Sequence, residues 1–241
     1  MLNIKTSDKA QESGDTLGGF KVWDTNAYEA VVKAVYLGKS KEGANFAGIH
    51  LMINGQEYRE QVYFTNKAGE NFYVRDGKEF EMPGFQTVNE LVLLTTGTGL
   101  LDNPAIEEKI LKLYDPEQKQ ETNQSVPCLV EVMGKPIIVG IQKVKEFKQE
   151  KNDATGKYED SDKVREHNQI NKFFHAETQG TVTEYKKDLR LGAFFEEWSA
   201  KNTPEFVLDK TKNKKAGGAA PGRPGASGSN GGETKSLFGN K

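Results

Sequence analysis

One cysteine, Cys128, stands in a chain of 241 residues, which excludes an intrachain disulfide. It lies in the apolar run Val126 to Val132 and reads as a buried, inert thiol. The three histidines, His50, His167 and His175, share no ligand spacing with it, so no structural zinc is expected. No apolar run approaches the roughly 18 residues of a membrane helix. Met1 to Lys9 is mixed and polar, unlike a signal peptide. The expectation is a soluble, intracellular protein.

Enzyme signatures are equally sparse. Thr96-Gly97-Thr98-Gly99 is glycine-rich but lacks the lysine and hydroxyl that hold phosphates and magnesium, and reads as a helix stop. Gly134-Lys135 is followed by Pro136 where a phosphate loop needs Ser or Thr. Acidic pairs such as Glu107-Glu108 and Glu196-Glu197 do not form the spaced carboxylate set of a two-metal nuclease. The expectation is no catalysis, no cofactor and no metal.

What is present begins with strands. Val31 to Leu37 is β-rich and is followed by a polar turn, Gly38 to Gly43. Phe46 to Ile53 alternates, with Ile49, Leu51 and Ile53 on one side and His50 and Met52 on the other. Asn54-Gly55 predicts a two-residue hairpin turn. The return strand, Gln56 to Phe64, sets Tyr58, Val62 and Phe64 against Glu57, Arg59, Gln61 and Tyr63. Such a curled meander suits a small β-barrel. Further strands are predicted at Phe20 to Trp23, Asn71 to Arg75, Val126 to Val132, Pro136 to Phe147 and His167 to His175. Helical spacing predicts a helix from Phe85 to Thr96 and a second from Asn103-Pro104 to Tyr114. Leu189 to Ala200 reads as an amphipathic helix near the C-terminus. Glu117 to Ser125 reads as a polar loop, and Lys148 to Glu166 as a mobile loop or long hairpin.

These readings divide the chain into a flexible N-terminus (1–19), one mainly β domain (20–209, with the helical insertion 85–114 and the helix 189–200) and a tail (210–241). The tail is rich in Gly, Pro and Ser and has almost nothing to bury, so it reads as a disordered linker. It holds seven basic residues and one acid, which leaves −8 on the preceding 209 residues of a chain whose net charge is −2. A body so acidic argues against broad electrostatic adhesion to nucleic acid. Binding would have to come from a local groove and from stacking.

Aromatic residues are interleaved with cations in several strands: Tyr36 with Lys33 and Lys39, Tyr63 with Arg59, Phe72-Tyr73 with Arg75. Phe147 lies among Lys143, Lys145 and Lys148, and Phe173-Phe174 beside Lys172. Base stacking on an aromatic ring is worth roughly 1–3 kcal/mol per base and tolerates any sequence. The candidate nucleic-acid residues are Lys33, Tyr36, Lys39, Lys41, Arg59, Tyr63, Phe72, Tyr73, Arg75, Lys143 and Lys145. A separate signal closes the tail: in the terminal peptide 236–241, Ser236, Leu237 and Phe238 suit a peptide that docks in a partner's apolar pocket.

In order and pattern the chain resembles the single-stranded-DNA-binding proteins of tailed bacteriophages. The anchors are Val31 to Leu37, the turn Lys39-Ser40-Lys41-Glu42-Gly43 leading into Phe46 to Ile53, and the return strand ending Val62-Tyr63-Phe64. Asn89-Glu90-Leu91 in a helix, the strand Pro136 to Lys145 and the segment His167-Asn168-Gln169-Ile170 extend it. The resemblance implies a five-stranded OB-type barrel with inserted helices and a disordered C-terminal tail. It implies sequence-independent binding of single-stranded DNA in phage replication or recombination, in the cytoplasm of the host cell, with replication or recombination proteins as partners of the tail. The tip of that family is usually acidic; here it is basic or neutral, and its Leu-Phe pair is also similar to peptides that dock on sliding clamps. Two other classes stay open: a protein-interaction module of the replication machinery, and a metal-dependent nuclease, against which the sequence argues.

Overall fold

The computed structural model describes residues 22–152, 156 and 158–213. The expected flexible N-terminus (1–19), the expected strand residues Phe20 and Lys21, and the terminal peptide with Ser236, Leu237 and Phe238 lie outside the described residues.

The fold is mainly β. The first strand, β1 (Asn26–Lys39), is shared between neighbours. Asn26 to Val31 pair antiparallel with β8 (Pro136–Lys151), and Val31 to Lys39 pair with β2 (Asn45–Ile53). A bulge between Val32 and Ala34 re-aims the strand where it changes partners. The expected turn joins β2 to β3 (Gln56–Tyr63): Asn54 and Gly55 both have positive φ, 49° and 77°, as a type I′ hairpin requires. A second turn of this kind, Asp76-Gly77, joins β4 (Phe72–Arg75) to β5 (Lys78–Glu81) in a two-stranded sheet of their own.

Alternation then builds the core. Val32, Val35, Ile49, Leu51 and Ile53 are fully buried, and Ile137, Val139 and Ile141 of β8 meet them with Phe173 of β9 (Tyr158–Phe174). The helix α1 (Pro83–Thr96) covers this core with Val88, Leu91 and Val92. Pro83 suits its first turn, and Gly97, at φ 83°, ends it by donating its amide to the Leu93 carbonyl.

Four expectations are corrected. The second helix does not form: Ile106–Asp115 is a strand, β6, paired along its length with β7 (Gln120–Leu129). Ile106, Ile110 and Tyr114 are spaced by four, which puts them on one face of a helix and on one face of a strand alike. The supposed loop Glu117 to Ser125 supplies the hairpin turn and the first half of β7, while Val130–Val132 is a short 3-10 turn. Val22 and Trp23 precede the first strand rather than forming one. Lys148 to Glu166 does form a long hairpin, β8 with β9.

The C-terminal helix is shorter than expected, α3 (Ala193–Lys201). Before it comes an unforeseen turn of helix, α2 (Val182–Lys186), held by a capping box in which Thr181 and Glu184 exchange bonds. Trp198 of α3 packs with Ile138 and Phe174 in a second cluster and lies against Gly140. A short strand, β10 (Val207–Asp209), adds parallel to β8, and Lys210 continues it by donating to the Lys145 carbonyl at 2.9 Å.

The sheet does not close. Among the described residues β3 pairs only with β2, and β9 only with β8. One side chain spans the gap: the Glu60 Oε2 accepts from the Tyr58 hydroxyl and from the Ile170 amide, both at 2.6 Å. Burial pushes the Glu60 carboxyl above its usual range, partly offset by these two donors. No described helix is long and apolar enough to cross a membrane.

Candidate nucleic-acid interface

The outward residues of β1, β2 and β3 form a face opposite the core. Cross-strand register sets them in rows: Gly38, Phe46 and Tyr63; Tyr36, Gly48 and Gln61; Ala34, His50 and Arg59. Four rings run across the rows. Tyr63 meets Phe46 at 5.7 Å between centroids, Phe46 meets Tyr36 at 6.1 Å, and Tyr36 meets His50 at 5.6 Å, all edge to face.

Glycine makes this row possible. A Cβ at Gly48 would come within 2.0 Å of the Tyr36 ring, and one at Gly38 within 2.3 Å of the Phe46 ring. Each ring therefore lies against the backbone of the adjacent strand, where any side chain would displace it. Tyr63 is 47% exposed; Tyr36 and Phe46 are half-buried.

Cations border the rings. Lys39 ends β1 one residue past Gly38 and so alternates to the opposite face, while Lys41 sits in the following turn; both are exposed. At the other end Lys33 pairs with Glu57 at 3.1 Å. Arg59 is held twice: its Nη2 donates to Glu57 at 2.9 Å and its Nη1 to Glu121 of β7 at 2.6 Å. Burial raises the Glu57 carboxyl, but bonds and charge from Arg59 and Lys33 outweigh it and hold it at about 2. Burial, with the Arg59 charge, lowers the pKa of His50, whose Nδ1 lies 3.0 Å from the Glu57 Oε1.

A pH dependence follows. The Glu57 carboxyl is depressed in the folded state, so it contributes stability that is full above the unfolded value near 4.5. That contribution is lost as pH falls toward about 2. The drop in thermal midpoint between pH 6 and pH 3 should shrink in Glu57→Gln; an undiminished drop would refute this role.

The remaining candidates lie elsewhere. Phe72, Tyr73 and Arg75 are on β4, where Tyr73 stacks on Phe80 at 5.7 Å and Arg75 approaches Asp76 at 3.6 Å. Lys143 and Lys145 are on β8 beside β10, Lys143 paired with Asp24 at 3.0 Å. β1 meets β8 at Asn26, ten residues before Tyr36, so about 30 Å of strand separates them from the ring row. Phe173 and Phe174 are fully buried and offer no stacking surface.

Sequence reasoning set His50 opposite the apolar side of its strand but named neither it nor Phe46 as a candidate. Its available signal was Gly38 and Gly48 inside otherwise good strands. It also passed over Glu57 and Glu121, the anions that occupy Arg59. A shallow cavity of about 580 Å³, lined by Leu37, Phe64, Phe85, Leu100 and Ile106 among others, has no charged side chain in its lining. Among the described residues no three His, Cys, Asp or Glu side chains gather as a metal site would require. No protein-family model and no curated protein matches the chain.

Proposed function

We propose that this protein binds single-stranded DNA without sequence preference and without catalysis, through the outer face of β1, β2 and β3. The observation that carries the reading is the ring row Tyr63, Phe46, Tyr36 and His50, bordered at the His50 end by Lys33 and Arg59. Rings supply sequence-tolerant stacking, and cations at the margin supply phosphate contacts. The site is local, which suits an acidic body that would repel duplex elsewhere.

The strand order supports an OB-type barrel left open at one seam. β1 is flanked by β2 and β8, β3 follows β2, β9 follows β8, and α1 covers the core between β3 and the later strands. Glu60 stands at the seam where a closing ladder would run. With the resemblance in sequence order, this supports a role in phage DNA replication or recombination in the host cytoplasm, with Ser236, Leu237 and Phe238 as the partner hook. A second reading, a protein-interaction module, draws on the exposed Tyr73, Val74 and Phe80 of the β4–β5 hairpin.

Titration with oligo(dT) and matched duplex, at several salt concentrations, separates the two. Intrinsic fluorescence should be quenched by the single strand, weakly altered by duplex, and should show a modest salt slope. No response to either nucleic acid would refute DNA binding and favour the interaction module.

A further inference from the structure

The hairpin of β6 and β7 is rooted on β1 at one point, where Tyr36 pairs with Cys128. The next residue along β7 toward the tip, Pro127, has no amide to donate, so the ladder to β1 ends there. The hairpin continues as a unit, paired from Ile106 with Leu129 to Asp115 with Gln120.

Its path is fixed by one contact. In the plane of the sheet, β7 and β3 are separated by β1 and β2, about 14 Å at ordinary strand spacing. Yet Glu121, seven residues from Cys128 and about 23 Å along the strand, lies 2.6 Å from Arg59 of β3. Arg59 points away from the core, so the arm crosses the outer face above β2. His50 of β2 points away from the core on this side and is 5% exposed.

At the end of the arm Glu121 does to Arg59 what a phosphate would do: it places an anionic oxygen on a guanidinium nitrogen. Lys112, which pairs with Asn123 across the hairpin, lies 3.8 Å from the same carboxylate. With Glu57 on the other nitrogen, both terminal nitrogens of Arg59 already carry a carboxylate while the arm is down.

We propose that the β6–β7 hairpin is a displaceable arm, with Glu121 as a resident phosphate mimic, and that a single strand enters the face by exchanging its phosphate for Glu121 on Arg59. This rests on the reading of the face as a DNA site. The groups that face Arg59 are Glu57 from its own strand, His50 across from it on β2 and Glu121 from the arm, with Lys33 and Lys112 paired to these same carboxylates. Removing the Glu121 charge should therefore favour the open arm and the bound strand together.

The test uses the full chain in two forms, wild type and Glu121→Gln. Spin labels at Gln118→Cys, on the tip, and Gln56→Cys, at the start of β3, report the arm; Cys128 is fully buried and stays unlabelled. In the free wild type one short distance is expected, and Glu121→Gln should add a longer population. Oligo(dT) should shift the wild type to that longer distance. Affinity for oligo(dT) should rise about threefold in Glu121→Gln at low salt, with a smaller gain as salt is raised, because exposed ion pairs are weak and screened. Wild-type binding with the arm distance unchanged would overturn the displacement and leave the DNA site standing. A free-state distance unaffected by Glu121→Gln would overturn the mimic. No binding by either form would refute the DNA site and the exchange with it.

Discussion

Replacing Tyr36 and Tyr63 together with alanine should weaken binding of oligo(dT) on the order of a hundredfold. Each ring that stacks a base contributes roughly 1–3 kcal/mol, and two losses near the lower end reach this factor. The two positions differ usefully. Tyr63 is 47% exposed at the edge of β3, so its removal tests stacking with little effect on packing. Tyr36 is half-buried between Phe46 and His50 and lies against Gly48, so its removal also frees the neighbouring rings. Anisotropy of a labelled oligonucleotide measures the loss, and the thermal midpoint confirms that the fold persists. A change of less than threefold in a folded variant would move the site away from this face.

Glu60→Ala should destabilise the protein by about 3 kcal/mol. The substitution strips the acceptor from two buried donors, the Tyr58 hydroxyl and the Ile170 amide, and each orphaned group costs roughly 1–3 kcal/mol. In a domain of this size that is on the order of 10 °C in the midpoint. Glu60→Gln keeps a carbonyl oxygen at the seam and should lose less. The pH dependence has the opposite sign to that of Glu57. The Glu60 carboxyl is raised in the folded state, so folding favours its protonated form. Its contribution is therefore full below the unfolded value and declines as pH rises through the folded one. Thermal melts of the three proteins from pH 4 to pH 8 read both effects. Equal midpoints for Glu60→Ala and wild type would mean that the seam is not held by this carboxylate.

The meander was legible because its signals are local. Asn54-Gly55 names its own turn, and the alternation of Gln56 to Tyr63 assigns Arg59 and Tyr63 to the outer face without knowledge of any partner strand. Ile106 to Tyr114 was misread because a spacing of four satisfies both periods. The strand is decided by its pairing with Gln120–Leu129, a contact no local window contains. The open seam was equally invisible. Glu60 alternates inward with Tyr58 and Val62, where sequence alone shows a charge at odds with a core, and only the Ile170 amide explains it. At the site, the cations could be found as residue types, but their state could not. That Arg59 is already occupied depends on Glu121, sixty-two positions away. Lys143 alternates outward as expected, yet Asp24 already pairs with it, and β10 lies beside its strand.

β1 serves two masters on alternate residues. Val32, Val35 and Leu37 belong to the core or pack against it, while Lys33 and Tyr36 belong to the outer face, and the bulge near Lys33 sets which is which. Insertion or deletion of a single residue in this strand would exchange the two sets, sending Tyr36 inward and a valine out. Such a change cannot be graded: it costs the core and the site at once. The proposed binding face is thus open to adjustment by substitution and closed to adjustment by length, whereas the tips at Asp76 and Lys119 can lengthen freely.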